Sequence, residues 1–346
     1  GLKNIQQEEP SIKSYSFDKT GYFIMREGWK KSDKVLIISA GLDSWKPDHQ
    51  HGDLLGIQAF ANENVILPNY QVRYSLKDLE LFKNSMTKNV ALVDDELQGK
   101  KYTSNKGGSG FGKFKQLPNP KVIGFQKNKD IEIFIGSHDG FEDVGVNYSR
   151  QVINVENDFW IVKDNFSSEK KHTYKQVWQG HYSLENSPNL LRSSFQNSAG
   201  LDIYQLNKVD TVSTNGARGK QWSTTSKKGK KDFNFITLLS PFSKYDERID
   251  EENSSPKIKD WKINSSELKS NASQTLSKNN KHFLFGVSEA TLQGKKIRFS
   301  EKTDVFINIK DIKISIQSLY LKATNMTILK SDKSQVLQPL DFSTLN

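Results

Sequence analysis

Short runs of β-branched and aromatic residues recur along most of the 346-residue chain, and they constrain its fold more than any other feature. The first two occupy residues 21–26 and 35–39, with glycine, lysine, serine and aspartate between them. Such runs, separated by turn-forming residues, are typical of paired β-strands. Further runs of this kind occupy residues 64–67, 90–93, 121–125, 131–135, 149–155, 159–162, 173–178, 233–239, 282–287, 296–299, 305–309 and 314–321. The pattern predicts an all-β chain of stacked antiparallel sheets, a β-sandwich.

Two segments differ from the strands because they have helical character. One is residues 53–61. The other is residues 76–87, in which Leu76, Leu79, Leu81 and Phe82 roughly keep the 3.6-residue repeat of a helix. We expect both to be minor elements.

One polar segment marks the expected division of the chain. Residues 245–277 are rich in serine, asparagine, lysine and glutamate, contain Pro256 and offer little that could fill a hydrophobic core. We therefore expect a large antiparallel sheet domain over residues 1–244, a boundary region over 245–277 and a smaller C-terminal β domain over 278–346.

The charge balance favours a polyanionic partner. The chain has 50 Lys and Arg residues against 40 Asp and Glu, a net charge of +10, and a surface of one sign concentrates ligands of the other. Acidic polysaccharide, nucleic acid and anionic membrane surfaces all fit this charge, and so does a lysine-rich composition without a binding role. The lysines are dispersed and flank no nucleic-acid-binding motif, so we expect no nucleic acid partner.

Two further features of composition exclude classes of structure and chemistry. The longest strongly apolar stretch, residues 35–40, is far shorter than the roughly 20 residues of a membrane-spanning helix, so we expect no membrane partner. The chain has no cysteine, which excludes disulfides, thiolate catalysis and cysteine-ligated zinc. Any metal ligand must therefore be a histidine, a carboxylate or an amide.

Three of the six histidines lie in segments that could form a site. His49 and His51 are two residues apart, so on an extended segment both imidazoles would point the same way. Asp53 follows them as a helix cap or as an orienting partner. His138 follows an apolar run and precedes an Asp-Gly turn signal, so it would project at a strand end. On spacing alone, these histidines are also compatible with ordinary turn or core positions.

A series of motifs resembles one enzyme family when the motifs are read in order. They are Gly21-Tyr22-Phe23-Ile24-Met25-Arg26, His49-Gln50-His51-Gly52-Asp53-Leu54-Leu55, Val65-Ile66-Leu67-Pro68-Asn69-Tyr70 with Arg73-Tyr74, Lys88-Asn89-Val90-Ala91-Leu92-Val93-Asp94, Ser137-His138-Asp139-Gly140-Phe141, Ser149-Arg150-Gln151-Val152 and Phe159-Trp160-Ile161-Val162-Lys163-Asp164. Their order and approximate spacing over residues 20–185 resemble the β-sheet half of the heparinase II/III-like polysaccharide lyases.

This resemblance implies a fold, an activity and partners. Lyases of this family cleave uronic-acid-containing, acidic polysaccharides by β-elimination, using an N-terminal α/α-toroid packed against a sheet domain. The reaction needs a group that neutralises the uronate carboxylate, a base for the C5 proton and an acid for the leaving oxygen. We expect the toroid in the same precursor or in a separate chain, and we expect this chain alone to lack a complete catalytic set. A periplasmic or extracellular location is a further implication.

The resemblance also implies roles for individual residues. His49 matches the sheet-domain histidine that faces the substrate, and Arg73 would contact the substrate carboxylate. Tyr74 matches a tyrosine near the active cleft that could relay a proton, with core or rim packing as the alternative. The segment Lys88-Asn89-Val90 stands where the family often has His-Asn-Thr, which leaves a polar loop of unassigned role.

A metal site, commonly for zinc, is another implication. His51 and His138 match metal-binding histidines, and Asn69 stands where the family usually has an aspartate. A neutral amide is a poorer zinc ligand than a carboxylate. Asp53 or Asp139 could therefore substitute for it, or the histidines could form hydrogen bonds only. No organic cofactor is expected.

A second reading is a non-catalytic module that binds acidic glycans. Trp45, Trp178 and Tyr182 would then stack on sugar rings, while lysine and arginine hold carboxylate or sulfate groups. The two readings differ in their outcome. A lyase makes an unsaturated uronyl product that absorbs ultraviolet light, whereas a binding module retards the glycan and leaves it intact.

Overall fold

The computed structural model describes residues 8–41, 50–69, 79–103, 112–127, 129–184, 189–217, 220–243, 256, 258–292, 294–310, 313–320, 327–330 and 333–336. Strands dominate these residues, and the one α-helix among them is α1, Leu79–Lys83. Short 3₁₀ turns occur at Asp18–Thr20, Ser85–Thr87 and Glu142–Val144. The predicted all-β class of stacked antiparallel sheets is therefore confirmed.

The strands are numbered in chain order. The first thirteen are β1 (Tyr15–Phe17), β2 (Tyr22–Arg26), β3 (Val35–Ser39), β4 (Gly56–Ala61), β5 (Asn64–Leu67), β6 (Ala91–Val93), β7 (Lys100–Thr103), β8 (Lys113–Gln116), β9 (Pro120–Lys127), β10 (Ile131–His138), β11 (Val146–Val155), β12 (Phe159–Ser168) and β13 (His172–Gln179). The others are β14 (Ser183–Leu184), β15 (Leu190–Ser194), β16 (Gly200–Gln205), β17 (Thr211–Ala217), β18 (Lys220–Lys230), β19 (Phe233–Phe242), β20 (Lys262–Ile263), β21 (Lys269–Ser270), β22 (Gln274–Lys278), β23 (Lys281–Leu292), β24 (Lys295–Lys310), β25 (Lys313–Ser318), β26 (Thr327–Lys330) and β27 (Lys333–Val336).

The two predicted helical segments have different outcomes. The prediction for residues 53–61 is wrong, because β4 occupies most of that segment and pairs on both sides, with β3 and β5. Its Ile57, Ala59 and Ala61 side chains are buried at every second position, which is the repeat of a strand. Residues 76–87 contain α1 and a 3₁₀ turn. No helix in the part of the chain that the structure describes is long and apolar enough to cross a membrane.

The chain divides into two compact units. Unit 1 comprises residues 1–122 and 136–257, and unit 2 comprises residues 123–135 and 258–346. This division differs from the expected one, because the polar segment before residue 278 contributes β20, β21 and β22 to the sheet of unit 2. That sheet has a core that includes Leu284, Val287 and Val305.

Unit 1 contains three antiparallel sheets that position the candidate site. The first has the order β1-β2-β3-β4-β5. The second includes the path β14-β15-β16-β19-β12-β11, and the third has the order β17-β18-β13-β6. Trp160, Trp178, Phe23 and Phe235 are among the largest buried side chains of this unit, so aromatic packing accounts for much of its core.

The first sheet has a buried face and an exposed face. Phe23 and Met25 of β2 point inward and are almost completely buried. Tyr15, Phe17 and Tyr22 point outward and are 43%, 46% and 45% exposed. Tyr15 and Phe17 are in edge contact, with ring centroids 4.8 Å apart, and Phe17 is paired across the sheet with Tyr22. We call these three residues the outer aromatic face.

Candidate functional site

The structure describes three of the seven residues that the sequence proposes for a site. Those three are His51, Asn69 and His138. The other four, His49, Trp45, Arg73 and Tyr74, lie outside the described residues. Their predicted roles therefore stay predictions.

His51 and Asn69 lie in connections that leave the same edge of the first sheet. The last residue of β3, Ser39, is paired with Gly56 at the start of β4. Strand β5 runs antiparallel to β4 and ends at Leu67, which is paired with Ala59. The connection from β3 to β4 and the segment that follows β5 thus begin at one edge, which allows His51 and Asn69 to adjoin the same group.

That group is the side chain of Lys88, which lies just before β6 and is only 1% exposed. Its Nζ donates a hydrogen bond to Asn69 Oδ1 over 2.6 Å. The side-chain amide of Asn69 also makes a hydrogen bond with the Asp53 carboxylate that favours its ionised form, so the amide N–H is the donor. An ammonium, an amide and a carboxylate are therefore linked in series.

Burial and mutual attraction set the charges of this series. Burial raises the pKa of the Asp53 carboxyl, and the Lys88 ammonium opposes that rise. Burial lowers the pKa of Lys88 to about 8, and Asp53 opposes that fall. Burial lowers the pKa of His51 from 6.5 to about 3, and the charges of Lys88 and Lys83 contribute to that fall. The imidazole of His51 is thus neutral at neutral pH, and it can donate or accept a hydrogen bond without a change of charge.

Gly52 fixes the backbone beside His51 against the turn after α1. Its N–H donates to the Lys83 carbonyl over 2.7 Å, and its own carbonyl accepts from Ser85 Oγ over 3.0 Å. A Cβ atom at position 52 would lie 2.6 Å from Asn84 Oδ1 and 3.0 Å from Gly99 N. Only glycine permits this close approach.

Lys83 places a second buried cation in the same region. Its side chain is 1% exposed, and its Nζ donates to the Gly112 carbonyl over 2.6 Å. Two buried ammonium groups, Lys83 and Lys88, thus act on His51. A positive potential of this kind favours an anionic group at the edge of the sheet.

Asn89 ties the backbone segments of the site together. Its Nδ2 donates to the carbonyls of Ile57 and Pro68 over 2.8 and 3.0 Å. Its Oδ1 accepts from Gln179 N over 2.7 Å. One amide therefore connects β4, the residue before Asn69 and the end of β13, which fixes the place where Asn69 meets Lys88.

Arg150 of β11 forms hydrogen bonds with the backbone of the same segments, those that contain Leu55 and Asn89. Its guanidinium is completely buried, and Nη1 donates to the carbonyls of Leu55 and Asn89 over 2.8 and 2.9 Å. Nε and Nη2 donate to the two oxygens of Asp164 over 2.7 and 2.9 Å. Four of the five N–H donors of Arg150 thus have acceptors, which suits a buried guanidinium.

Asp164 is the centre of a hydrogen-bonded group within the sheet. Besides Arg150, it accepts from Tyr148 Oη over 2.8 Å and from Gln176 Nε2 over 2.6 Å. The nearby charge of Asp164 raises the pKa of the Arg150 guanidinium. The Arg150 guanidinium therefore stays charged, and it acts through the Leu55 and Asn89 carbonyls as a positioning element for the site.

His138 lies at a strand end, as the sequence predicts, but its side chain does not project. It is the last residue of β10 and is only 5% exposed. Its ring packs against Phe141 and Tyr148, with centroids 5.0 and 4.8 Å away. Burial lowers the pKa of His138 to about 3, because an apolar surrounding disfavours the charged ring.

Both ring nitrogens of His138 face protein groups. Gly140 N donates to Nδ1 over 3.1 Å, so the neutral ring carries its proton on Nε2. Gln98 Nε2 lies 3.4 Å from that Nε2 atom. The same Gln98 amide bonds with the N–H and the C=O of Leu54. His138 is therefore part of the packing beneath the segment that follows His51.

The contacts of His51, Asn69 and His138 decide whether these side chains could bind a zinc ion. Among the described ranges, no three His, Asp or Glu side chains come together in a way that could hold a metal ion. His51 and Asn69 adjoin a buried ammonium, and His138 is engaged by Gly140 and by aromatic rings. These side chains do not fit a zinc ion, so no step of the chemistry is assigned to one.

Sequence reasoning missed most of the groups that build the site. Lys88 and Arg150 stand in motifs that carry the family resemblance, but the motifs alone predict no role for either. A signal for Arg150 exists in the sequence, because a charged residue within an apolar strand needs a partner. Asp164 lies in the apolar run that follows, and β11 and β12 pair Arg150 directly with Asp164.

A cleft of about 240 Å³ lies next to the Gln98 side of the site, within unit 1. Its lining includes Lys100, Asn119, Asp139 and Asp143. Asp139 accepts from the backbone and side-chain nitrogens of Asn119 over 2.6 and 2.7 Å. The lining is rich in hydrogen-bonding groups, which suits a ligand with many hydroxyls.

The architecture of this chain is similar to that of solved polysaccharide lyase structures. The crystal structure of a mutant heparan sulfate lyase from Pedobacter heparinus has a TM-score of 0.59 and 15% identity, and the match covers 81% of this chain and 43% of that one. A heparinase III has a TM-score of 0.54 and 17% identity, with 87% and 43% covered. At this identity the likeness shows the fold, and the chain spans about 43% of the length of these neighbours.

Comparison at the level of sequence gives the family. Among curated proteins no match is found. The profile described as "Heparinase II/III-like, C-terminal" matches residues 9–278, which is most of the chain. This chain therefore belongs to the heparinase II/III-like family of polysaccharide lyases and corresponds to the C-terminal part of that family's proteins.

Proposed function

We propose that this chain is the sheet portion of a lyase that cleaves a uronic-acid-containing polysaccharide by β-elimination. The observation that carries the proposal is the set of cationic and hydrogen-bonding groups at one edge of the first sheet, within a family match that covers residues 9–278. The neighbours named as heparan sulfate lyase and heparinase III support a sulfated, uronate-containing glycan as the first substrate class to test.

The chain's own residues have separate tasks in this proposal. Lys83 and Lys88 are buried, so they bias the potential at the edge and do not touch substrate. Arg73 is proposed to pair with the uronate carboxylate, and Trp45 is proposed to stack on a sugar ring. His49 is proposed to donate to the uronate, which would stabilise the charge that develops when the C5 proton leaves. Tyr74 is proposed to carry that proton to the leaving oxygen.

A helical partner domain is part of the proposal. The chain spans about 43% of the length of the lyases that it resembles in structure. Proton transfer requires groups held at hydrogen-bond distance on both sides of the sugar. We therefore propose that an N-terminal toroid, in the same precursor or as a separate chain, completes the substrate-binding cleft of the lyase. We also propose a periplasmic or extracellular location, where such a protein would meet an acidic polysaccharide.

The test is an ultraviolet assay for the unsaturated uronyl product. Heparan sulfate is incubated with the longer protein that contains this chain and with the chain alone, and neutral dextran is the control substrate. We expect product from the longer protein with heparan sulfate only. Retardation of heparan sulfate in a native gel, without product from either protein, would instead identify a glycan-binding module.

A variant assigns the catalytic histidine in the same assay. His49→Ala should abolish turnover while the circular dichroism spectrum stays unchanged, because it removes the group proposed to face the uronate. His181→Ala is the matched control, since His181 is an exposed histidine of the same unit. Near-normal turnover in His49→Ala would remove that residue from the catalytic set.

A further inference from the structure

The link from Lys88 through Asn69 to Asp53 explains why position 69 carries an amide. Lys88 Nζ needs an acceptor, which Asn69 Oδ1 provides over 2.6 Å. The Asp53 carboxylate needs a donor, and the Asn69 amide provides that too. A carboxylate at position 69 could accept from the ammonium, but it would place a second negative charge beside Asp53. Lys88 and Asn69 therefore form a matched pair.

The charges of the region make a bound metal cation unfavourable. Lys88 and Lys83 are each 1% exposed, so little water screens them. Asp53 is an acidic group whose charge acts on Lys88. A divalent ion placed beside His51 and Asn69 would meet two ammonium groups and compete with Lys88 for the same oxygen atoms.

We propose that the ammonium of Lys88, bonded to Asn69 Oδ1, is the resident cation of this pocket in the place of a bound metal ion, and that the pocket works without a metal. The inference deepens the proposed function, because it makes a lyase built on this site insensitive to chelators. Its tests read metal content and thermal stability. Their failure is therefore distinguishable from a failure to find lyase activity.

The first test measures zinc in the unsubstituted chain and in His51→Ala. Both proteins are incubated with excess zinc chloride, desalted and analysed for metal. We expect the same zinc content in the two proteins, since His51 does not hold an ion. One equivalent of zinc that is present in the unsubstituted chain and lost in His51→Ala would overturn the proposal.

The second test is a double-mutant cycle on Lys88 and Asp53, read as the midpoint of thermal unfolding, Tm. Lys88→Met should lower Tm by about 5 °C or more, because it leaves the Asp53 carboxylate buried without its cation. The double variant with Asp53→Asn should recover part of that loss, since an amide needs no counter-charge. If Lys88→Met unfolds the chain at room temperature, a folded double variant still reports the coupling.

The cycle has a matched control and a clear negative outcome. Lys34→Met removes a partly exposed lysine whose Nζ lies 3.4 Å from a Glu27 oxygen in the same unit, and it should change Tm only slightly. If Lys88→Met keeps the original Tm, or if Asp53→Asn gives no recovery, then Lys88 is not the cation that balances this pocket, and the proposal is wrong.

Discussion

Replacement of Arg150 by methionine tests the support beneath the site. The substitution removes both hydrogen bonds from the guanidinium to Asp164 and those to the Leu55 and Asn89 carbonyls. Asp164 keeps donors from Tyr148 and Gln176. Breaking a buried ion pair costs about 3–5 kcal/mol, and leaving the Leu55 carbonyl without its donor adds about 1–3 kcal/mol. The low end of both ranges gives an expected loss of about 4 kcal/mol in the free energy of unfolding.

Urea-induced unfolding at neutral pH, followed by circular dichroism, measures this loss. Arg192→Met is the matched control, because Arg192 makes the same two-fold contact with Asp202, at 2.6 and 2.9 Å. Both variants should be destabilised. Only Arg150→Met should also speed hydrogen exchange of the Ile57 amide, which donates to the Asn89 carbonyl over 3.3 Å.

The charge-retaining variant Arg150→Lys separates charge from geometry. A lysine is a single point of charge and cannot reproduce the fork. Arg150→Lys should therefore lower the free energy of unfolding, but by less than Arg150→Met does. A loss below about 1 kcal/mol in Arg150→Met, the range of surface ion pairs, would refute the reasoning.

Two further predictions concern Gly52 and His138. Gly52→Ala forces a Cβ atom to within 2.6 Å of Asn84 Oδ1, so we expect a loss of about 1–3 kcal/mol, visible as a lower Tm; an unchanged Tm would show that the turn yields freely. His138 has a folded-state pKa of about 3, below its usual value of 6.5. The unfolded chain therefore takes up a proton that the folded chain does not, and stability should fall by up to about 1.4 kcal/mol per pH unit as the pH drops below that usual value. In His138→Gln, urea unfolding at pH values between about 7 and 5 should show a shallower dependence, and an equally steep one would contradict this account.

The sheet architecture was predictable because its signal is local. Residues of β2 and β3 alternate between buried and less buried positions, and that alternation is visible in the residue types themselves. The failure at residues 53–61 has an equally local cause. Ile57, Ala59 and Ala61 are too short a run to distinguish a two-residue repeat from a helical one by pattern alone.

The candidate site was predictable only in part, because its contacts join distant parts of the chain. His51 and Asn69 could be chosen from motifs, but their shared neighbour Lys88 comes from another segment. Arg150 meets the Leu55 and Asn89 carbonyls across 95 and 61 residues of sequence. The spacing of residues along the sequence does not predict such contacts, because they form only when strands pair and sheets pack together. The burial of His138 could not be predicted for a related reason, because its aromatic neighbour Tyr148 lies on a different strand.

The outer aromatic face affects the tendency of the chain to self-associate in concentrated solution. Tyr15 and Phe17 lie on β1, which ends the path of its sheet within the described residues, so apolar rings and an open strand edge occur together. Such an edge favours association between molecules, and the net charge of +10 opposes it by mutual repulsion. Added salt shortens the range of that repulsion to about 3 Å at molar concentration. Concentrated solutions should therefore stay clear in dilute buffer and become cloudy as salt is added.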